Sequence, residues 1–302
     1  MIFVVRQNIE KCIEHQVKGF LIFVDLCKAY DSVPRSALWA VLRKLGVPGI
    51  LVRILESFHA NMSADIIVVE SSVAGIPVCN GLRQGCTMTP VLFNLYAAAA
   101  MERWRATLQQ RGICGFPFRH CIDGQVFKRS SRGSDATISD GEFADDAVLI
   151  ADSHASAGIM METFVEVGAA FGLTVNMIKT VFMAVGHGIE SSDRLPLMVN
   201  DQSIMYVDQF KYLGSVVSPD GRCHADVSAR IAAASKAFGA LYSSVFHNGD
   251  LTPATKQRVY TCCVLSVLLY GAECWTLLQV DTRRLEAFHN CCIRVILGIS
   301  RS

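Results

Sequence analysis

Short apolar runs alternate with helical repeats in the first part of the chain. Residues 20–25, FLIFVD, form a continuous apolar run that ends in an acid, which is typical of a buried central strand. Residues 36–46, SALWAVLRKLG, have helical spacing and stop at Gly46, a helix-ending residue. The pattern then predicts a second amphipathic helix at 51–60 and a strand at 64–70.

The middle of the chain predicts one long helix and a β-hairpin. Thr89 is placed as the N-cap of this helix, with Pro90 at its first position and Gly112 beyond its end. Residues 113–140 predict loop with weak strand. The stretches GEF and AVLIA are both strand-like, so the three residues Ala144–Asp146 between them are expected to form a hairpin turn.

The pattern stays mixed to about residue 217 and is purely helical beyond it. The predicted elements are a helix at 155–171, strands at 173–175, 181–185 and 210–217, and helices from 225 onward, one of them starting at Thr252 and Pro253. Strands and helices followed by helices alone indicate an α+β fold with a helical appendage. We predict domains at 1–218 and 219–302.

Composition and charge indicate the class of protein. A hydrophobic content of 51% and a charged content of 18% favour a compact globular protein over disorder. Net charge is only +1, but residues 101–133 hold seven basic side chains against two acids, and residues 221–302 hold nine against five. These segments could line a polyanion track or could be solvated helix faces.

Cysteine usage and hydropathy bear on the compartment and the membrane. The twelve cysteines show no CxxC spacing, so we interpret them as small core residues in a reducing environment. Residues 260–278 are long enough for a membrane span, but Gly271 and Glu273 interrupt them, and a buried helix is the preferred interpretation. The N-terminus lacks a signal-peptide layout. We therefore expect no membrane association.

Three acids could form a metal site. Asp145 and Asp146 are adjacent at the predicted turn, and Asp25 ends a different buried strand. If the two strands are neighbours, three carboxylates converge on the hard oxygen ligation that Mg²⁺ prefers. Such a site suits phosphoryl or nucleotidyl transfer, in which two ions hold the attacking and leaving oxygens. A solvated acidic turn is the alternative interpretation.

Five stretches, in order, resemble the motif series of reverse transcriptases. Their sequences most resemble those of the non-LTR, LINE-type retrotransposon branch. They are FVDLCKAYDSV, NGLRQGCTMTPVLFNLY, FADDAVLIADS, GLTVNMIKTVFMAVG and FKYLGSVVSPDG. The stretches VLLYGAECWTL and LEAFHNCCIRVILGISR resemble the segment after the polymerase core in those elements. The resemblance implies an RNA-directed DNA polymerase with a palm, an antiparallel sheet packed on helices, and a C-terminal helical, thumb-like region.

The resemblance also assigns the predicted metal site. Asp25, Asp145 and Asp146 match the family's metal ligands, with the carbonyl of Leu26 as an additional one. They would bind two Mg²⁺ ions, with Mn²⁺ as an alternative. Lys179 matches a lysine proposed to protonate the leaving pyrophosphate or to neutralise its charge. As an ordinary surface lysine it would have no such role.

The resemblance also implies nucleotide contacts, in the motif that contains Asp25 and in the motif that follows it. Tyr30 occupies the position of the aromatic gate, where a ring excludes a 2′-OH, although a tyrosine packed in a turn fits the same position. The contact loop for template and nucleotide comprises Arg83, Gln84 and Gly85. In this loop Gly85 would permit a close backbone approach.

The last motif matches the hairpin that holds the primer's 3′ end. It comprises Tyr212, Leu213 and Gly214, and its apolar face equally suits a plain core strand.

The implied partners are an RNA template, a DNA primer and deoxynucleoside triphosphates; the sequence does not give the oligomeric state. The family's fingers strands are expected before the first motif and are absent, so we interpret the chain as a palm and partial thumb. The alternative is a catalytically inactive remnant that only binds template–primer. A third reading, an RNA-dependent RNA polymerase, is disfavoured by Tyr30. A retrotransposon product would be nuclear or cytoplasmic, but no targeting signal identifies the location.

Overall fold

The structure, a computed structural model, describes residues 1–68, 71–121 and 133–299. Parts of two predicted features, residues 69–70 of the strand at 64–70 and residues 122–132 of the predicted loop and first basic segment, lie outside the described residues.

The predicted helices and strands of the first part occur in the predicted order, and the structure adds two helices and a strand that the pattern did not predict. The helices and strands of this part are α1 (Ile2–Glu14), β1 (Lys18–Val24), α2 (Ala29–Ser32), α3 (Arg35–Lys44), α4 (Gly49–His59), β2 (Ser63–Val68), β3 (Ser71–Pro77), α5 (Thr89–Gln110) and β4 (Phe116–Cys121). Strands β2 and β3 pair antiparallel.

The middle part adds most of the strands. Its strands are β5 (Gly133–Ile138), β6 (Asp140–Phe143), β7 (Asp146–Ala151), β8 (Val181–Gly186), β9 (Leu197–Val199), β10 (Gln202–Tyr206), β11 (Phe210–Tyr212) and β12 (Ser215–Val217). Helix α6 (His154–Ala170) follows β7, and a 3₁₀ turn (Ser191–Arg194) follows β8. Strands β4 and β5 pair antiparallel, where the sequence predicted loop with weak strand.

The last part is helical, as predicted. Its elements are α7 (His224–Leu241), a π-helical turn (Tyr242–Phe246), α8 (Pro253–Tyr260), a second π-helical turn (Thr261–Leu265), α9 (Ser266–Leu268), a 3₁₀ turn (Ala272–Cys274) and α10 (Gln279–Leu297).

The main sheet has six strands in the order β6-β7-β1-β8-β10-β9. The pairs β6/β7, β7/β1 and β10/β9 are antiparallel, whereas β8 and β10 are parallel. Strand β1 is buried along nearly its whole length, because its apolar run lies in the interior of the sheet. The predicted α+β class with a mainly antiparallel sheet is confirmed.

Helices α5 and α6 cover one face of this sheet. Every second side chain of β1, including Phe20 and Ile22, packs in a common core with Trp104 of α5 and Phe164 of α6. The Trp104 indole donates a hydrogen bond to the Met160 carbonyl over 3.1 Å, so the largest core side chain leaves no unsatisfied donor. This layer supports the strands that carry the acids.

A second core lies between α3, α4 and α5. Leu38, Leu42 and Val52 pack there with Phe93 and Tyr96 of the long helix. This core anchors the loop before α5.

Two predicted details differ from the structure. Met88, not Thr89, is the N-cap of α5, because the Thr89 hydroxyl donates to the Arg83 carbonyl over 2.6 Å instead of capping the helix. The predicted strand at 173–175 is reduced to a single bridge between Leu26 and Val175. By contrast, Thr252 caps α8 as predicted, since its side chain accepts the Thr255 N–H.

The apolar run at 260–278 is not one helix. It begins at the last residue of α8, continues through the second π-helical turn and α9, and breaks at Gly271, whose φ of 75° lies in the left-handed region. Across the described ranges, no helix combines the length and the hydrophobicity that crossing a bilayer requires.

The interpretation of the cysteines as core residues is only partly right. Cys12, Cys223 and Cys292 are buried, and none of the cysteines whose side chains the structure describes forms a disulfide. The exposed ones are Cys79, Cys114, Cys262, Cys263 and Cys291.

The chain divides into two compact units. One comprises Lys18–Ala184 and Ile189–Tyr206 and contains both cores above and the strands of the main sheet, except for the last two residues of β8. The other comprises Met1–Val17, Val185–Gly188 and the residues from Val207 onward. The second has its own core, in which Phe238, Phe246 and Tyr260 pack together. The predicted division at 218 is a functional one into palm and thumb, and it stays a prediction.

Candidate active site

The paired acids lie on a tight β-hairpin, as predicted. Phe143 of β6 pairs with Asp146 of β7, so Ala144 and Asp145 form a two-residue turn. Ala144 has a φ of 56°, a left-handed conformation that costs a residue with a Cβ about 1–2 kcal/mol. Backbone strain of this kind is concentrated at functional sites. The turn leaves Asp145 exposed and Asp146 half-buried.

The third acid lies on the neighbouring strand. Val24 of β1 pairs with Ala147 of β7, and continuing this antiparallel register by one residue brings Asp25 beside Asp146. Residues directly opposite one another in such a pair share a face of the sheet. The Asp25 backbone is fixed on its other side, because its N–H donates to the Thr180 hydroxyl over 3.3 Å and its carbonyl accepts the Asn176 N–H over 2.8 Å.

The charges of the three acids influence one another. Burial raises the pKa of Asp146, and the negative charges of Asp145 and Asp25 raise it further. Apolar side chains contribute to this burial, since Met101, Trp104 and Phe164 line a cavity of about 30 Å³ together with Asp145 and Asp146. A cation bound here would relieve the repulsion.

The acids are neighbours without forming an assembled ligand set. In the described part of the chain, no three His, Cys, Asp or Glu side chains are grouped closely enough to hold a metal ion. The assignment of Asp25, Asp145 and Asp146 as metal ligands therefore stays a prediction.

Leu26 and Lys179 lie beside Asp25. The bridge between Leu26 and Val175 is formed by hydrogen bonds of the residues on either side of them. The Cys27 N–H donates to the Thr174 carbonyl, and the Asn176 N–H donates to the Asp25 carbonyl. The bridge therefore does not use the Leu26 carbonyl. The ammonium of Lys179 is 3.8 Å from a carboxylate oxygen of Asp25, and its side chain is 69% exposed.

Tyr30 is held between a core and the acids. Its ring packs on Phe93 with the ring centres 4.6 Å apart, and its carbonyl accepts the Leu82 N–H over 2.8 Å. Burial raises the pKa of the Tyr30 phenol, and the negative charge of Asp145 raises it further. The tyrosine predicted as a gate is thus an electrostatic neighbour of the hairpin acids.

The contact loop is tied to the turn after Asp25. The Gln84 amide donates to both carboxylate oxygens of Asp31, over 3.1 and 3.2 Å. Gly81 lies so close to this turn that a Cβ would be 2.7 Å from the Cα of Asp31. Gly85 has a φ of 82°, a conformation that favours glycine. A Cβ on Gly85 would meet no other described atom within 4 Å, so the space beside this residue is open. Arg83 is exposed.

The sequence did not single out Arg105, which holds the hairpin to α5. Its guanidinium bonds the Asp140 carboxylate over 2.9 and 2.5 Å and Glu142 over 2.8 Å, both on β6. Burial raises the pKa of Glu142, and the charge of Arg105 opposes this shift. An arginine on a helix face carries no sequence signal for a distant partner.

Tyr212, Leu213 and Gly214 lie in the second unit. Strands β11 and β12 form a hairpin closed by the pair Tyr212 and Ser215, so Leu213 and Gly214 are its two-residue turn. Both have positive φ, 46° and 83°, as in the tight turns that match the twist of a hairpin. Tyr212 is buried.

A mainly antiparallel sheet, with an acidic hairpin at its strand ends and two helices on one face, is the architecture of a polymerase palm. The chain belongs to the reverse transcriptase (RNA-dependent DNA polymerase) family, whose sequence profile matches residues 4–217. The predicted enzyme class is confirmed at the level of the family.

Two relatives indicate the branch. The chain is 23% identical over 220 residues to the Retrovirus-related Pol polyprotein from type-2 retrotransposable element R2DM of Drosophila melanogaster, covering 69% of this chain and 18% of that protein. It is 26% identical over 216 residues to the corresponding polyprotein of type-1 element R2 of Nasonia vitripennis, covering 68% and 19%. These relatives confirm the predicted likeness to non-LTR retrotransposon reverse transcriptases. The chain spans less than a fifth of the length of either.

Among solved structures, the telomerase of Candida tropicalis in complex with a TWJ fragment of telomeric RNA matches 98% of this chain and 51% of its own, with 10% identity and a TM-score of 0.44.

Proposed function

We propose that this chain catalyses RNA-directed DNA synthesis by transferring nucleotides from deoxynucleoside triphosphates to the 3′-OH of a primer. The observation that supports it best is the register of β1 on β7, which brings Asp25 beside Asp146 in a member of the reverse transcriptase family. Two carboxylates from one hairpin and one from the adjacent strand are the donors a two-ion site needs.

Asp25, Asp145 and Asp146 would hold two Mg²⁺ ions, with the Leu26 carbonyl as a further ligand. The donors fit, because all are hard oxygens. Burial and the charges of Asp145 and Asp25 raise the pKa of Asp146, so a bound cation would stabilise its charged form. Mn²⁺, which accepts the same ligands, is an alternative. When bound, the ions would activate the primer hydroxyl and stabilise the charge of the leaving pyrophosphate.

The remaining residues would bind and select the nucleotide. Lys179 would offer a proton or a positive charge to pyrophosphate, Tyr30 would exclude a ribose 2′-OH, and the loop with Arg83, Gln84 and Gly85 would contact the nucleotide and template. The open space before Gly85 supports a close approach of the backbone to the substrate.

The proposed partners are an RNA template and a DNA primer, held by a palm at 1–218 and a thumb-like region at 219–302. Tyr212, Leu213 and Gly214 would hold the primer's 3′ end. The excess of basic side chains at 221–302 supports a contact with the phosphate backbone.

Primer extension on poly(rA)/oligo(dT) with Mg²⁺ or Mn²⁺ tests this function. We expect incorporation of dTTP by the wild type, none by the double variant Asp145→Asn, Asp146→Asn, and wild-type rates for Asp152→Asn. Asp152 is an exposed acid directly after β7, which makes it a matched control. Activity that survives the double substitution would refute the site, and a preference for ribonucleotides would favour an RNA polymerase.

A second candidate is a protein that binds template–primer without catalysis. The acids are not assembled as a ligand set in the described residues, and this observation favours it. It predicts salt-sensitive binding of an RNA–DNA hybrid with no incorporation at any metal concentration.

A further inference from the structure

The tip of the β11–β12 hairpin is held by two side chains from outside the hairpin. The Tyr270 hydroxyl donates to the Leu213 carbonyl over 2.8 Å, and the Arg230 guanidinium donates to the Gly214 carbonyl. The guanidinium also lies over the Tyr270 ring, 4.5 Å from its centre. Both carbonyls of the two-residue turn are therefore bonded by one stacked pair, which we call the latch.

The arms of the same hairpin are fixed by Asp226, one helical turn before Arg230. Its carboxylate is fully buried and accepts bonds from the Ser215 hydroxyl over 2.6 Å, the Val216 N–H over 2.9 Å and the Trp275 indole over 2.8 Å. Arg6 adds a buried ion pair at 3.0 Å. Helix α7 thus holds the hairpin at its arms through Asp226 and at its tip through the latch.

The turn needs such support. Leu213 has a φ of 46°, a conformation that residues with a Cβ adopt only when their surroundings enforce it. A Cβ on Gly214 would lie 3.2 Å from a ring carbon of Tyr270 and 3.3 Å from the Arg230 guanidinium. Glycine therefore lets the latch approach the turn closely, in addition to permitting its φ.

We infer that Arg230 and Tyr270 are positioning residues for the primer: they hold the Leu213–Gly214 tip in the one conformation that presents the primer's 3′ end for extension. This inference rests on the proposed function. It gives a role to the YGAECW stretch at 270–275, which provides Tyr270 to the tip and Trp275 to Asp226. A terminus misplaced by about 1 Å loses reactivity steeply, so a loose tip would impair extension more than binding.

Two conservative variants test the latch. Tyr270→Phe removes only the hydroxyl, and Arg230→Lys keeps the charge but loses the planar stack. The matched controls are Tyr242→Phe, whose hydroxyl has no hydrogen bond among the described residues, and Arg53→Lys, an exposed arginine outside both basic segments. Within the described ranges, neither control side chain bonds the hairpin.

Two measurements are needed, and the first requires no catalysis. Hydrogen exchange of peptides covering 210–217 should be roughly 2- to 10-fold faster in each latch variant, the effect of losing one hydrogen bond, and unchanged in the controls. In primer extension, kcat should fall by a similar factor while KM for dTTP and the affinity for template–primer stay at wild-type values.

Unchanged exchange in both latch variants would overturn the latch. Faster exchange with wild-type extension would overturn its role in positioning, although the proposed function would stand. A wild-type chain that neither binds nor extends the primer would refute the proposed function and this role with it.

Discussion

Replacing Asp146 with asparagine should stabilise the metal-free protein while removing its activity. Asp146 is half-buried, and its pKa is raised by burial and by the charges of Asp145 and Asp25. Without a cation its negative charge is therefore unfavourable in the folded state. Asparagine has nearly the same shape and removes that charge.

The magnitude follows from the strand register. Carboxylates on paired strands lie about 5–6 Å apart, and at this distance Coulomb's law gives about 3 kcal/mol at an effective dielectric constant of 20 and under about 1 kcal/mol in water. Asp25 is 35% exposed, so solvent screening favours the lower figure, about 1 kcal/mol. For a domain of this size that corresponds to a rise in Tm of about 2–4 °C.

Thermal unfolding in EDTA, followed by circular dichroism, measures this effect. Asp152→Asn, an exposed acid after the same strand, is the control and should change stability by no more than about 0.5 kcal/mol. Adding Mg²⁺ should raise the Tm of the wild type more than that of Asp146→Asn, because an ion that binds only the folded state stabilises it.

The pH dependence of stability tests independently whether the charge of Asp146 destabilises the folded chain. Because folding raises the pKa of Asp146, the folded chain takes up this proton more readily than the unfolded chain, and wild-type stability falls as the pH rises through the raised pKa. The stability advantage of Asp146→Asn over the wild type should be largest above the raised pKa of Asp146 and should vanish below the ordinary pKa of an aspartate. An Asp146→Asn protein that melts at or below the wild-type temperature in EDTA at neutral pH would contradict the proposed crowding of three acids.

Three further substitutions test separate parts of the structure. Tyr30→Ala should raise ribonucleotide incorporation relative to deoxyribonucleotide by roughly 10- to 100-fold in competition assays; an unchanged ratio would contradict the gate. Arg6→Met should lower the free energy of unfolding by about 3 kcal/mol in urea titrations, because it removes the closer cationic partner of the buried Asp226 and leaves Arg230 at 3.8 Å. Gly85→Ala should lower stability by about 1 kcal/mol through its φ of 82°, and a larger loss of primer extension would indicate substrate contact there.

Much of the local structure could be predicted from the sequence. The apolar run before Asp25 is strand β1, and the acids at 145 and 146 lie at the turn of a hairpin, because alternation and turn formation depend on neighbouring residues. Where a side chain bonds a residue outside its own helix, the capping rule was wrong. Thr89 bonds the Arg83 carbonyl rather than capping α5.

The partners of the site residues could not be predicted. Arg105 pairs with Asp140 and Glu142, and Gln84 pairs with Asp31, across separate elements. Charged and amide side chains carry no pattern that selects one distant partner among many. The spacing of these residues in the chain therefore gave no hint of the contacts.

The sequence by itself determined which residues could do chemistry, since the order of its motifs and the acids within them identify the family. Only the tertiary structure decided that Asp25 lies beside Asp146 and that Tyr270 and Arg230 hold the tip at Leu213 and Gly214. The physical reason is that strand register and helix placement depend on how all the apolar faces pack together, whereas hydrophobic period and capping act over a few residues.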